Sequence, residues 1–201
     1  MADRSAPYEV IASRERFSGA IIKVVSDEVR MPGGDAAVRD YVVHPGAVGV
    51  VALDQQGRVL LLRQYRHPVR QTLWELPAGL LDISGEEPLA AAQRELYEEG
   101  AVKSDRWDLL VDAFPSPGGC NEKIRVFLAR GLHSMADGDR FHGIDEESEL
   151  EVHWIDLNEA VSWAMSGRIL NAMCTIGILV AARARDENWE PLRPADTSWS
   201  R

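Results

Sequence analysis

Along this chain the spacing of apolar positions changes several times, and each change marks an element. Residues 8–43 carry β-branched runs such as Ile21-Ile22-Lys23-Val24-Val25, divided by the turn Met31-Pro32-Gly33-Gly34. That is the pattern of extended, antiparallel segments. Ala47–Leu53 is apolar at almost every position, as in a strand covered on both faces. The turn Asp54-Gln55-Gln56-Gly57 and the second run Arg58–Tyr65 predict a hairpin with it. Pro77-Ala78-Gly79 then interrupts regular structure.

The spacing predicts a helix over 88–99, with Pro88 at its first position and Gly100 as its stop. Ser84 and Glu87 stand at capping-box spacing ahead of it. Strands follow at Leu109–Phe114 and Lys123–Arg130, on either side of the loop 115–122. Residues 133–149 are polar and acidic; a last strand at Leu150–Ile155 and helices over 158–166 and 169–186 complete the chain. Strands flanked by helices without regular βαβ alternation predict an α/β (α+β) sandwich. The division expected is an N-terminal β subdomain over 1–43 and a main domain over 44–201.

Composition narrows the function classes. The chain has 201 residues and a formal net charge of −10, which opposes a broad nucleic-acid footprint. An anionic small molecule stays compatible, because bound divalent cations reverse the local field. Cys120 and Cys174 are too few for a disulfide framework and lack zinc-ligand spacing. The first ten residues carry Asp3 and Glu9 with no apolar run, unlike a signal peptide. The longest apolar stretch, Ala172–Ala182, falls well short of the roughly 20 residues that span a bilayer. A cytoplasmic, reducing location and no membrane partner are the expectations.

On the predicted helix, Glu95 lies three residues before Glu98 and four before Glu99. This spacing sets the three carboxylates side by side, where they repel unless a cation sits among them. Hard oxygen donors at this density suit Mg²⁺ or Mn²⁺. Three glutamates alone are more often a solvated helix face than a metal site. Their surroundings decide the matter.

Gly79, Glu86 and then Arg94-Glu95-Leu96-Tyr97-Glu98-Glu99 resemble the Nudix box: a glycine, a glutamate and an Arg-Glu-hydrophobe-x-Glu-Glu core. There are two departures. The interval from Gly79 to Glu86 holds one extra residue, and Ala101 stands where the box ends in glycine, which moves the expected helix stop to Gly100. The resemblance implies a Nudix fold, a mixed sheet between helices preceded by the N-terminal antiparallel segment. It also implies two or three divalent ions. Glu95 and Glu99 would be the main ligands, Glu98 would share a second ion in catalysis, and the Ala78 carbonyl would add a ligand. Such ions bridge a diphosphate and activate the water that attacks phosphorus. Arg94 would pair with Glu86 to orient the helix.

Three features outside the box resemble the ADP-ribose pyrophosphatase branch of that family. They are Gln64-Tyr65-Arg66-His67, Trp74-Glu75-Leu76-Pro77-Ala78-Gly79 and Ser116-Pro117-Gly118-Gly119, whose proline stands 16 residues after Ala101. The resemblance implies that Arg66 holds a phosphate, that Glu75 contacts substrate or the attacking water, and that Pro117 and Gly118 line the substrate. It places a catalytic base in the acidic loop 145–149, Glu147 first and Glu146 second. It further implies a homodimer exchanging residues 1–43, where Phe17 is a candidate to stack on adenine. The activity implied is hydrolysis of ADP-ribose to AMP and ribose 5-phosphate. The rivals are another nucleotide sugar, NADH or a dinucleoside polyphosphate as substrate, and a non-catalytic ADP-ribose sensor. Retention of Glu95, Glu98 and Glu99 favours the enzyme.

Overall fold

The computed structural model describes residues 8–134 and 150–199. The chain divides into two compact units, one built from 1–46 with 116–122, the other from 47–115 with 123–201.

The first unit is an antiparallel sheet of β1 (Val10–Ser18), β2 (Lys23–Arg30) and β3 (Ala36–Val43), in that order. The loop Ser116–Glu122 belongs to this unit. Val42 N–H donates to the Gly119 carbonyl at 2.9 Å, and the Val42 carbonyl accepts from Asn121 N–H at 3.1 Å. The Asn121 side chain in turn accepts from His44 N–H at 2.8 Å.

The second unit holds β4 (Ala47–Ala52), β5 (Arg58–Arg66), β6 (Gln71–Glu75), β7 (Ala78–Leu80), α1 (Pro88–Gly100), β8 (Val102–Ala113) and β9 (Ile124–Ser134). After them come β10 (Glu151–Asp156), α2 (Leu157–Met165), α3 (Ala172–Asp186) and β11 (Arg193–Pro194). One sheet runs β11-β8-β9-β4-β7, with β4 and β9 parallel and the other pairs antiparallel; a second runs β10-β5-β6. All six residues of β4 are buried. Val48 and Val50 pack with Ala91, Ala92 and Leu96 of α1, while Val51 packs with Leu157 of α2 and Ile178 of α3. Burial on both faces explains why the strand reads as one apolar run. The result is the expected mixed α+β arrangement. No helix among the described residues is long and apolar enough to cross a membrane.

The hairpin expected between β4 and β5 does not form. The turn is present, with Asp54 N–H donating to the Arg58 carbonyl at 2.9 Å, but pairing stops at the single bridge Leu53–Val59. A strand has two edges, and those of β4 are taken by β7 and β9. Nor is Pro77-Ala78-Gly79 irregular throughout: Ala78 and Gly79 enter β7 opposite Gly49 and Val48.

Both ends of α1 also differ from expectation. Glu87 is itself the N-cap, without a capping side-chain hydrogen bond, so Ser84 and Glu87 form no capping box. Gly100 is the last helical residue, and Ala101 takes the left-handed cap at φ 49°, its N–H donating to the Tyr97 carbonyl. Gly100 serves packing instead: a Cβ there would lie 3.2 Å from Leu60 Cδ1 and 3.4 Å from Leu96 Cδ1. The left-handed conformation costs a residue with a Cβ about 1 kcal/mol, which glycine avoids. Ala101→Gly is therefore expected to raise the thermal midpoint by a few degrees without altering activity; a lowered midpoint would contradict the cap.

The final stretch, for which the sequence offered no element, is fastened to the sheet. Arg125 of β9 is 2% exposed and donates to Asp112 of β8 at 2.7 and 3.0 Å. It also donates to the carbonyls of Thr197 and Ser198, at 2.7 and 3.2 Å.

Candidate active site

Burying Ala91, Ala92 and Leu96 against the sheet leaves Arg94, Glu95, Glu98 and Glu99 on the flanks of α1. Arg94 is the hub. Its Nε and Nη2 donate to the two oxygens of Glu86 at 3.0 and 3.1 Å. Its Nη1 donates to Glu95 at 2.6 Å and to Glu98 at 3.0 Å. The hydrogen bond to Glu86 raises the Arg94 pKa above its ordinary value; burial opposes this, and the charge of Glu95 reinforces it. The expected brace between Arg94 and Glu86 is thus formed, and it extends to two of the box glutamates.

On the sheet side, Glu99 accepts a hydrogen bond from Ala78 N–H at 2.8 Å. Glu95 lies against Gly79 so closely that a Cβ at position 79 would overlap its carboxylate. Ala78, Gly79, Glu95 and Glu99 therefore meet at one point of β7, and Arg94 links Glu98 to the same group. Spacing alone does not justify the glycine that permits this approach; its only signal in the sequence is its place in the box.

The donor set fits hard divalent cations. Three carboxylates share one guanidinium and Glu99 adds a fourth, all of them oxygen donors. Among the described residues no three acidic, histidine or cysteine side chains close into a ready chelate. The guanidinium of Arg94 is the cation that stands between Glu95 and Glu98.

Arg66 and Glu75, read separately from the sequence, form one pair. In the β5–β6 ladder Arg66 is opposite Gln71 and Glu75 is opposite Leu62, so the two side chains lean toward each other along the strands. Arg66 Nε donates to both Glu75 oxygens at 3.0 and 3.1 Å, and Nη2 donates to one of them at 2.6 Å. The Glu75 side chain is 4% exposed and that of Arg66 is 41% exposed. Burial pushes the Cys174 thiol of α3 upward, and the charge of Glu75 adds to the shift.

Pro117 and Gly118 lie in the first unit, in a turn closed by Gly119 and Cys120 N–H groups on the Ser116 carbonyl at 3.2 and 3.0 Å. A Cβ on Gly118 would meet nothing within 4 Å, so local space does not demand glycine there. Phe17 is in β1 of the same unit and is 55% exposed. Glu146 and Glu147 lie outside the described residues.

The family model for the NUDIX domain matches residues 43–172. The chain is 40% identical over 192 residues to an ADP-ribose pyrophosphatase of Mycobacterium tuberculosis, covering 96% of this chain and 91% of that one. It is 33% identical over 175 residues to an ADP-ribose pyrophosphatase of Bacillus subtilis, covering 87% and 92%. At 32% identity over 170 residues it also resembles a methanol dehydrogenase activator of Bacillus methanolicus, covering 85% and 90%. A crystal structure of an ADP compounds hydrolase superposes with a TM-score of 0.78 at 17% identity, covering 93% of this chain and 98% of that one. That last likeness concerns the fold.

Proposed function

This chain belongs to the Nudix family, and from that premise we propose that it hydrolyses ADP-ribose, with water, to AMP and ribose 5-phosphate. The observation that carries the chemistry is the meeting of Glu95 and Glu99 at Ala78 and Gly79. The choice of substrate rests on likeness to the two pyrophosphatases over most of the chain.

Hydrolases of this family work with divalent metals. Glu95 and Glu99 would be the main ligands of two or three Mg²⁺ or Mn²⁺ ions, Glu98 would share a second ion, and the Ala78 carbonyl would complete the set. When bound, they supply neutralisation of the diphosphate charge and activation of the attacking water. The protein's own residues do the rest. Arg94 holds Glu95 and Glu98 in register with Glu86. Arg66 takes a phosphate oxygen through its charged fork, with Glu75 behind it. Glu147, or Glu146 beside it, accepts the proton of the water as general base. Pro117 and Gly118 border the nucleotide. A homodimer exchanging 1–43 completes each site, with Phe17 available to the adenine ring.

The test is product release. The protein would be incubated with Mg²⁺ and a panel of ADP-ribose, other nucleotide sugars, NADH and dinucleoside polyphosphates, and AMP and ribose 5-phosphate followed. ADP-ribose is expected to give the highest kcat/KM. No AMP from ADP-ribose beside fast cleavage of another member would overturn the substrate. No cleavage of any member, with tight ADP-ribose binding, would favour a sensor.

A further inference from the structure

We infer that Glu75 is a positioning residue: it holds the Arg66 guanidinium for the diphosphate and touches neither substrate nor the attacking water. This rests on the reading of Arg66 as the phosphate-binding group. The geometry points the same way from both partners. Both oxygens of Glu75 are taken by Arg66, at 2.6 to 3.1 Å. Its side chain is 4% exposed, so it presents almost nothing to a ligand. A carboxylate buried to that degree is costly unless it is paired and hydrogen-bonded, and Arg66 is the cation that does so.

The backbone around Glu75 makes it a fixed post. Glu75 is registered against Leu62, a residue 1% exposed. The next residue, Leu76, is 2% exposed, and the carbonyl of Pro77 accepts from Val50 N–H at 2.8 Å. Arg66, by contrast, is the last residue of β5 and keeps 41% of its side chain exposed. A long, flexible cation at a strand end loses rotamer freedom when it grips a phosphate. Fixing one edge of the fork on Glu75 removes that freedom before substrate arrives. The result is preorganisation, which acts on binding.

The test is a double-mutant cycle in the intact protein with Mg²⁺ and ADP-ribose, comparing wild type, Glu75→Gln, Arg66→Ala and the pair. Glu75→Gln is expected to raise KM roughly tenfold while kcat stays within about twofold, the signature of lost binding equal in ground and transition states. Arg66→Ala is expected to raise KM at least as much. In the Arg66→Ala background, Glu75→Gln is expected to add nothing. A fall in kcat from Glu75→Gln in that background would overturn the proposal, because it would place Glu75 on the reacting atoms. Unchanged KM in Arg66→Ala would overturn it too. An inactive wild type would instead refute the substrate reading, a separate result. Should Glu75→Gln not fold, Arg66→Lys supplies the answer, since it keeps the charge and loses the fork. Raised KM with kcat kept supports the proposal, and unchanged KM overturns it.

Discussion

Glu99→Gln is expected to abolish hydrolysis of ADP-ribose, with kcat reduced by more than roughly 100-fold, because the amide would withdraw one negative ligand from the proposed divalent-ion site. The substitution suits the structure. The Glu99 carboxylate accepts from Ala78 N–H at 2.8 Å, and an amide oxygen can accept the same bond. The helix should therefore stay docked on β7 and the thermal midpoint should move little. Steady-state kinetics over a range of Mg²⁺ and Mn²⁺ concentrations, with a thermal melt alongside, separate the two effects. Full activity at ordinary metal concentration would reject Glu99 as a ligand. Activity regained only at high metal would instead support it.

Gly79→Ala is expected to damage both activity and stability, and for a different reason. The new methyl would occupy the volume of the Glu95 carboxylate and its Cγ. Overpacking of this kind costs about 1–3 kcal/mol when neighbours must shift. Two outcomes are open to the molecule. Either Glu95 swings away from β7, or α1 lifts from Ala78–Leu80. Either change takes Glu95 away from β7, where Glu99 meets Ala78, so kcat should fall by roughly 100-fold or more, as for misplaced catalytic groups generally. The midpoint should fall by several degrees if the helix lifts, and less if only the side chain turns. Wild-type kinetics in Gly79→Ala would show that the close approach of Glu95 to β7 has no part in catalysis.

These two residues illustrate how differently the parts of the site could be read. Glu95, Glu98 and Glu99 are neighbours because helix geometry makes residues three and four apart adjacent. That fact is local and was legible at once. The Arg94–Glu86 brace is legible through the box, although its extension to Glu95 and Glu98 is set by the tertiary structure. Arg66 and Glu75 were both singled out, but as separate contacts. Their register offset, Arg66 against Gln71 and Glu75 against Leu62, hides the pairing from anyone counting residues. The base expected at Glu147 or Glu146 lies outside the described residues.

Elements divided along the same line. The sequence by itself determined the inventory: the helix carrying the glutamates, the doubly covered strand at 47–52, the β-rich N-terminal segment and the mixed α+β class. Periodicity, turn residues and helix formers act over a few positions, so each element states its own case. Tertiary structure alone decided which edges pair. The turn at 54–57 promised a hairpin, yet β4 gave its edges to β7 and β9, while β5 joined β6 and β10. It also decided how little room Gly79 and Gly100 have for a side chain. Both answers depend on atoms from elsewhere, Glu95 over β7 and Leu60 beneath α1. Edge pairing and close approach are competitions among distant segments for the same space, and their outcome is set by the packing of the whole unit.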